Sequence, residues 1–115
     1  MKNKYGARRG VVAGKKFDSL AESRRFAELS RLQRLGVITD LRRQVPYELI
    51  PAQYDEEGKI LERAVIYKAD FTYERDGALV VEDAKGVRTK DYVIKRKLML
   101  YVHKIKLVEI EERKK

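Results

Sequence analysis

The dipeptide Asp76-Gly77 limits what this chain can fold into more than any other feature. Asp-Gly readily adopts the positive φ angles of a two-residue hairpin loop. Here it separates two runs of strand-forming character, ADFTYER (69–75) and ALVVEDAK (78–85). With those two residues as the loop, Arg75 faces Ala78 and the numbers of each facing pair add to 153. Side chains alternate between faces along a strand. One face of the hairpin then holds Ala69, Phe71, Tyr73, Ala78, Val80 and Ala84 together with Glu82, and the other holds Asp70, Thr72, Val81, Asp83 and Lys85. The second face carries a problem. Asp70 falls opposite Asp83, where Cβ atoms are roughly 4.5–5.5 Å apart and like charges destabilise the pair. A bulge would shift the pairing and separate them.

Around this hairpin the chain reads as one compact domain. Leu20, Phe26, Ala27, Leu29, Leu32 and Leu35 recur near the helical period, with Asp18 or Ser19 as N-cap and Gly36 at the left-handed C-terminal position. VPYELIP (45–51) reads as a short strand that Pro46 places at a sheet edge, and DEEGK (55–59) as a polar turn. A strand is expected over about 64–74, its hairpin partner over 78–85, and a second helix over about 91–103. That helix would turn Tyr92, Ile94, Leu98, Leu100, Tyr101 and Val102 toward a core, before a last strand over 106–110. The order α-β-β-β-α-β predicts an α/β fold, a central mixed sheet flanked by helices. Residues 1–16 read as a basic arm that orders on a partner, and 17–115 as a single domain.

The charge points to a polyanion. Lys and Arg number 27 against 18 Asp and Glu, leaving +9 on 115 residues. The first 16 residues hold Lys2, Lys4, Arg8, Arg9, Lys15 and Lys16 and no acid; 85–106 holds eight basic residues and only Asp91 as an acid. Clustering of this kind is the footprint of a nucleic-acid partner, against the plainer alternative of a solvated surface. There is no cysteine, hence no disulfide framework or thiolate site, which suits the cytoplasm. No apolar run is long enough for a membrane helix.

A divalent cation would relieve the aspartate pair. Mg²⁺ takes hard oxygen ligands, commonly one or two carboxylates with water and a substrate phosphate. Lys85, two residues beyond Asp83, could then stabilise charge in a phosphoryl transition state. The alternative is that both acids face solvent at a sheet end, relieved by Lys85 or Lys68. Asp70, followed 13 positions later by Asp83-Ala84-Lys85, resembles the signature of the PD-(D/E)XK nucleases, whose core order is also α-β-β-β-α-β. Ala69 stands where that family often has proline. The resemblance covers about 17–110 and implies a restriction-endonuclease-like fold. It also implies Mg²⁺ (Mn²⁺ as substitute) held by Asp70, Asp83, the Ala84 carbonyl and Glu22 of the first helix, with Lys85 assisting catalysis. Glu22 has a second reading, since Ser19-x-x-Glu22 is a capping box.

In size and layout the chain is similar to small phage-encoded members of that superfamily and to archaeal-type Holliday junction resolvases. This implies a homodimeric, structure-selective DNA endonuclease acting on four-way junctions. The alternatives are a repair or transposase-like endonuclease on linear or damaged duplex, and a non-catalytic nucleic-acid-binding accessory protein. Lys4, Arg8, Arg9, Lys15, Lys16, Arg88, Lys90 and Lys95 are the expected DNA contacts. His103 reads as a helix-end residue, while Gln44 and Tyr47 receive no role.

Overall fold

The computed structural model describes residues 11–12, 15–16, 19–84 and 88–111. Helix α1 (Leu20–Arg34) begins where expected: Ser19 is extended, and its hydroxyl accepts the Glu22 N–H at 3.1 Å. The helix ends at Arg34 with Leu35 as C-cap, and Gly36, at φ of +80°, lets the chain turn back while Val37 N–H reaches the Leu32 carbonyl. The strands that follow are β3 (Thr39–Ile50), the small hairpin β4 (Gln53–Tyr54) and β5 (Ile60–Glu62), then β6 (Val65–Arg75) and β7 (Ala78–Asp83). Helix α2 (Lys90–His103) and β8 (Val108–Glu109) complete the core. Within the stretch read as an arm, β1 (Val11–Val12) pairs with β2 (Lys15–Lys16).

The main sheet has the order β3-β6-β7-β8, with β8 parallel to β7 and the other pairs antiparallel. It is the mixed four-stranded sheet that the α-β-β-β-α-β order requires, α2 providing the crossover. Pro46 lies in β3, an edge strand, where its missing N–H costs no ladder bond. Asp76 and Gly77 take φ of 54° and 78°, and the register runs from Arg75↔Ala78 to Phe71↔Glu82, each pair adding to 153.

Two cores lie on opposite faces of this sheet. Val80 and Ala84 pack with Phe26 and Leu29 of α1 and with Ile38, Phe71 and Tyr73. Val81, one residue along β7, packs instead with Leu49, Tyr67, Ala69, Leu107 and with Tyr92 and Met99 of α2. Ala69 is therefore not on the face of Phe71, as simple alternation had placed it. Between them the paired strands reverse their facing: the rungs Arg43↔Phe71 and Val45↔Ala69 flank Gln44, whose φ is +54°. Left-handed backbone at a non-glycine residue is the local distortion that permits such a reversal.

Two further expectations are corrected. β3 starts six residues before the expected strand, because the polar text TDLRRQ hid it. Of the α2 residues assigned to a core, Tyr92 is buried and Leu98 packs against it, but Ile94, Leu100, Tyr101 and Val102 are exposed. The buried seam of α2 runs through Tyr92 and Met99.

Candidate active site

The two aspartates sit where the β6–β7 ladder ends. One step past Phe71↔Glu82, the backbone pairing gives way to a side-chain bond in which Ala84 N–H donates to Asp70 Oδ2 at 2.8 Å. On β7, Asp83 is fixed from both sides. Its carbonyl accepts the Ile110 N–H at 2.9 Å, and its Oδ1 accepts the Tyr67 hydroxyl at 2.8 Å. Both carboxylates are almost completely buried, Asp70 at 2% and Asp83 at 1% exposure. Burial, then Asp83 and Asp70, push the Tyr67 hydroxyl far above its usual value, so it remains a donor to Asp83. Both acids thus act on the Tyr67 hydroxyl.

A cleft of about 460 Å³ opens beside Asp83, with Tyr67 and Tyr92 in its wall and Lys68, Lys95 and Thr89 around it. Thr89 caps α2 by accepting the Tyr92 N–H, so the start of that helix faces the same opening. Lys95 also pairs with Asp91 at 3.7 Å, a long, surface contact of little energetic weight.

Glu82, between Val81 and Asp83, points to the α1 side as the register required. It is fully buried, accepts Arg25 Nε at 2.9 Å and a second guanidinium nitrogen at 2.7 Å, and also accepts the Tyr73 hydroxyl. Burial and the bond to Glu82 push Tyr73 up to about 12. Glu82 is saturated by an ion pair on the far side of the sheet and is no part of the aspartate site.

Glu22 is buried at 4%, and its Oε2 accepts Gln44 Nε2 at 2.6 Å. The Ser19 hydroxyl half of the capping box is present, while the Glu22 carboxylate is engaged across the structure by β3. Gln44 is the residue sequence reasoning missed. A lone Gln in a polar run carries no periodic signal, and only its left-handed φ and its partner mark it. Tyr67 was missed for a related reason, since a tyrosine on alternating strand positions reads as ordinary core.

Other expected contacts divide. Arg88 pairs with Glu109 at 3.0 Å and lies over the Tyr92 ring. Glu109 also accepts Arg96 at 2.9 Å and the Tyr92 hydroxyl at 2.7 Å, and these hydrogen bonds, with Tyr92 foremost, pull its carboxyl down to about 2. Lys90 is exposed at the start of α2. Lys4, Arg8, Arg9 and Lys85 lie outside the described residues, and Lys15 and Lys16 form β2. His103 ends α2 as expected, its Nε2 2.7 Å from the Glu48 carbonyl and its ring edge-on to Tyr47.

Among the described residues, no group of three or more His, Cys, Asp or Glu side chains is placed to hold a metal ion. Glu22 accordingly does not join Asp70 and Asp83 in a three-carboxylate shell. What the strands offer is a carboxylate pair, the donor chemistry suited to a hard cation that keeps several waters. Among the described residues no helix is long and apolar enough to cross a membrane.

The chain matches, over residues 2–113, a family described as protein of unknown function (DUF1064). No curated protein and no solved structure matches it.

Proposed function

From the premise that the chain belongs to the DUF1064 family, we propose that it is a Mg²⁺-dependent, structure-selective DNA endonuclease, a homodimeric resolvase of four-way junctions working in the cytoplasm. One observation carries this reading: Asp70 and Asp83 lie, almost fully buried, where one ladder ends, and Asp83 lines a cleft bordered by Lys68 and Lys95.

Asp70 and Asp83 would hold the ion, with the Ala84 carbonyl adjacent to them in the chain. Bound there, Mg²⁺ supplies a lowered pKa for water and a counter-charge for the phosphate. Ala84 N–H and the Tyr67 hydroxyl each fix one carboxylate, which removes rotameric freedom before substrate arrives. Glu22, held by Gln44, lies outside that pair and serves as an acceptor that orients water. Lys85 follows Asp83 on the same strand text and is assigned the ammonium that stabilises the pentacoordinate phosphorus. Water attacks phosphorus in line, one P–O ester bond breaks, and the leaving oxygen takes a proton to give hydroxyl and phosphate ends. Lys68, Lys90 and Lys95, with the basic N-terminal residues, would contact backbone phosphates. A two-fold dimer suits a two-fold junction, since it spaces two sites for paired cuts.

The test is cleavage of a four-way junction, a linear duplex of the same sequence and a single strand, with Mg²⁺ or chelator. Metal-dependent cutting of the junction alone is expected, with Asp70→Asn and Asp83→Asn binding the junction but leaving it whole. Equal cutting of linear duplex would favour a repair or transposase-like enzyme. Binding without cutting under several divalent ions would favour an accessory protein.

A further inference from the structure

Two exposed features of the chain fit each other, and neither belongs to the aspartate site. The first is the β4–β5 hairpin. Its turn is rigid: Asp55 Oδ1 accepts N–H bonds from Glu57 and Lys59 at 2.8 and 2.9 Å, and Gly58 takes φ of +86°. This ordered hairpin displays Tyr54, Ile60 and Leu61 at 60, 51 and 62% exposure. Around them stand Asp55, Glu56, Glu57 and Glu62, against Lys59 and Arg63. An apolar, net-acidic projection is a poor surface for a nucleic acid, whose phosphates it would repel. Large apolar side chains held in solvent on a fixed element mark an interaction surface.

The second feature is a groove of about 280 Å³ between α2 and β8. Leu100 and Leu107 supply its apolar surface; Arg96 is paired there with Glu109, and Lys97 and Lys106 supply its net positive charge. Beside it on α2 are Tyr101 and Val102, exposed at 76 and 42%. These are the residues whose apolar character exceeds what the core takes up.

We infer that the β4–β5 hairpin of one copy docks in the α2–β8 groove of a second copy, reciprocally, forming an isologous dimer. Each partner brings both halves, so one two-fold axis satisfies both contacts and closes the assembly. The acidic rim of the hairpin meets the lysines of the groove, and Ile60 and Leu61 meet Leu100. Charge complementarity also overcomes the self-repulsion of a +9 chain, which works against any other face-to-face pairing. Because the hairpin turn is already hydrogen-bonded, little ordering is lost on docking. This gives an interface to the dimer invoked above and rests on that reading for its purpose.

The test needs neither metal nor DNA: sedimentation equilibrium of the full chain, with thermal melting to confirm that each variant is folded. Wild type should sediment at about twice its 13.5 kDa chain mass. Leu61→Asp should weaken dimerisation by about 10–100-fold. Glu56→Lys with Glu57→Lys should do likewise, as should Lys97→Glu with Lys106→Glu. Combining the two charge reversals should restore the dimer. A monomeric wild type, a dimer indifferent to Leu61→Asp, or no restoration in the combined variant would each overturn the inference. A dimeric wild type that passes these tests yet cuts no DNA in the cleavage assay above would sink the nuclease reading and leave this one standing.

Discussion

If the aspartate pair is arranged for a cation, removing one charge should stabilise the metal-free protein. Asp83→Asn is the informative change, because the amide oxygen can still accept the Tyr67 hydroxyl that now donates to Oδ1 at 2.8 Å. Asp70 and Asp83 lie one step past the last rung of this ladder, where continued pairing would put their Cβ atoms roughly 5 Å apart. At an effective dielectric of about 20, the repulsion relieved is roughly 3 kcal/mol. Against this, exchanging a charged acceptor for a neutral one costs about 1 kcal/mol in the Tyr67 bond. The net expectation is stabilisation by about 2 kcal/mol. With an unfolding entropy of about 2.1 cal/mol/K per residue, 115 residues give a rise in melting temperature of about 8 °C. Magnesium should act in the opposite sense on the pair of proteins. At tenfold excess over its Kd it adds about 1.4 kcal/mol to wild type, roughly 6 °C, and nothing to the variant. Differential scanning calorimetry in chelator and in Mg²⁺ reads both effects. A variant that melts below wild type in chelator, together with a wild type indifferent to Mg²⁺, would refute the reasoning.

Three other outcomes follow from the geometry. Arg25→Met strands the fully buried Glu82 without its bidentate partner and should cost about 3–5 kcal/mol, read by urea denaturation, whereas Glu28→Gln, which touches only the exposed side of Arg25, should cost almost nothing. Glu109 is pulled from the ordinary value near 4.5 to about 2, so its bonds to Tyr92, Arg96 and Arg88 stabilise the fold above pH 4.5. That contribution is lost as pH falls toward 2; an acid melting series should show wild type and Glu109→Gln converging over this window. Gln44→Leu removes the donor to buried Glu22 and should destabilise by about 1.5–3 kcal/mol, a loss that Gln44→Glu should not rescue at neutral pH because it sets two carboxylates together.

What could be read from residues alone was whatever local geometry dictates. Asp76-Gly77 set the hairpin register because few other dipeptides accept two positive φ angles in succession, and from that register came the orientation of Glu82; the expected Asp70–Asp83 rung lies one step past the last backbone pair, Phe71↔Glu82. Ser19 and Gly36 marked α1 for similar reasons. The reversal of facing between Ala69 and Phe71 was invisible, because it depends on Gln44 adopting a left-handed backbone that its residue type only weakly favours. The outer face of α2 was misjudged because apolar residues were counted as core, when the sheet offers room for one seam. The Arg88–Glu109 pair was equally invisible, because its members stand 21 positions apart in sequence and meet only through the fold.

The central claim is that Asp70 and Asp83 share one divalent cation. Crystals grown with Mn²⁺ and measured at its absorption edge give the most direct answer. An anomalous peak is expected within about 2.0–2.4 Å of a carboxylate oxygen from each aspartate, and its disappearance in Asp70→Asn. Manganese bound only elsewhere on the molecule, or a pair of carboxylates that stays metal-free at saturating Mn²⁺, would contradict it.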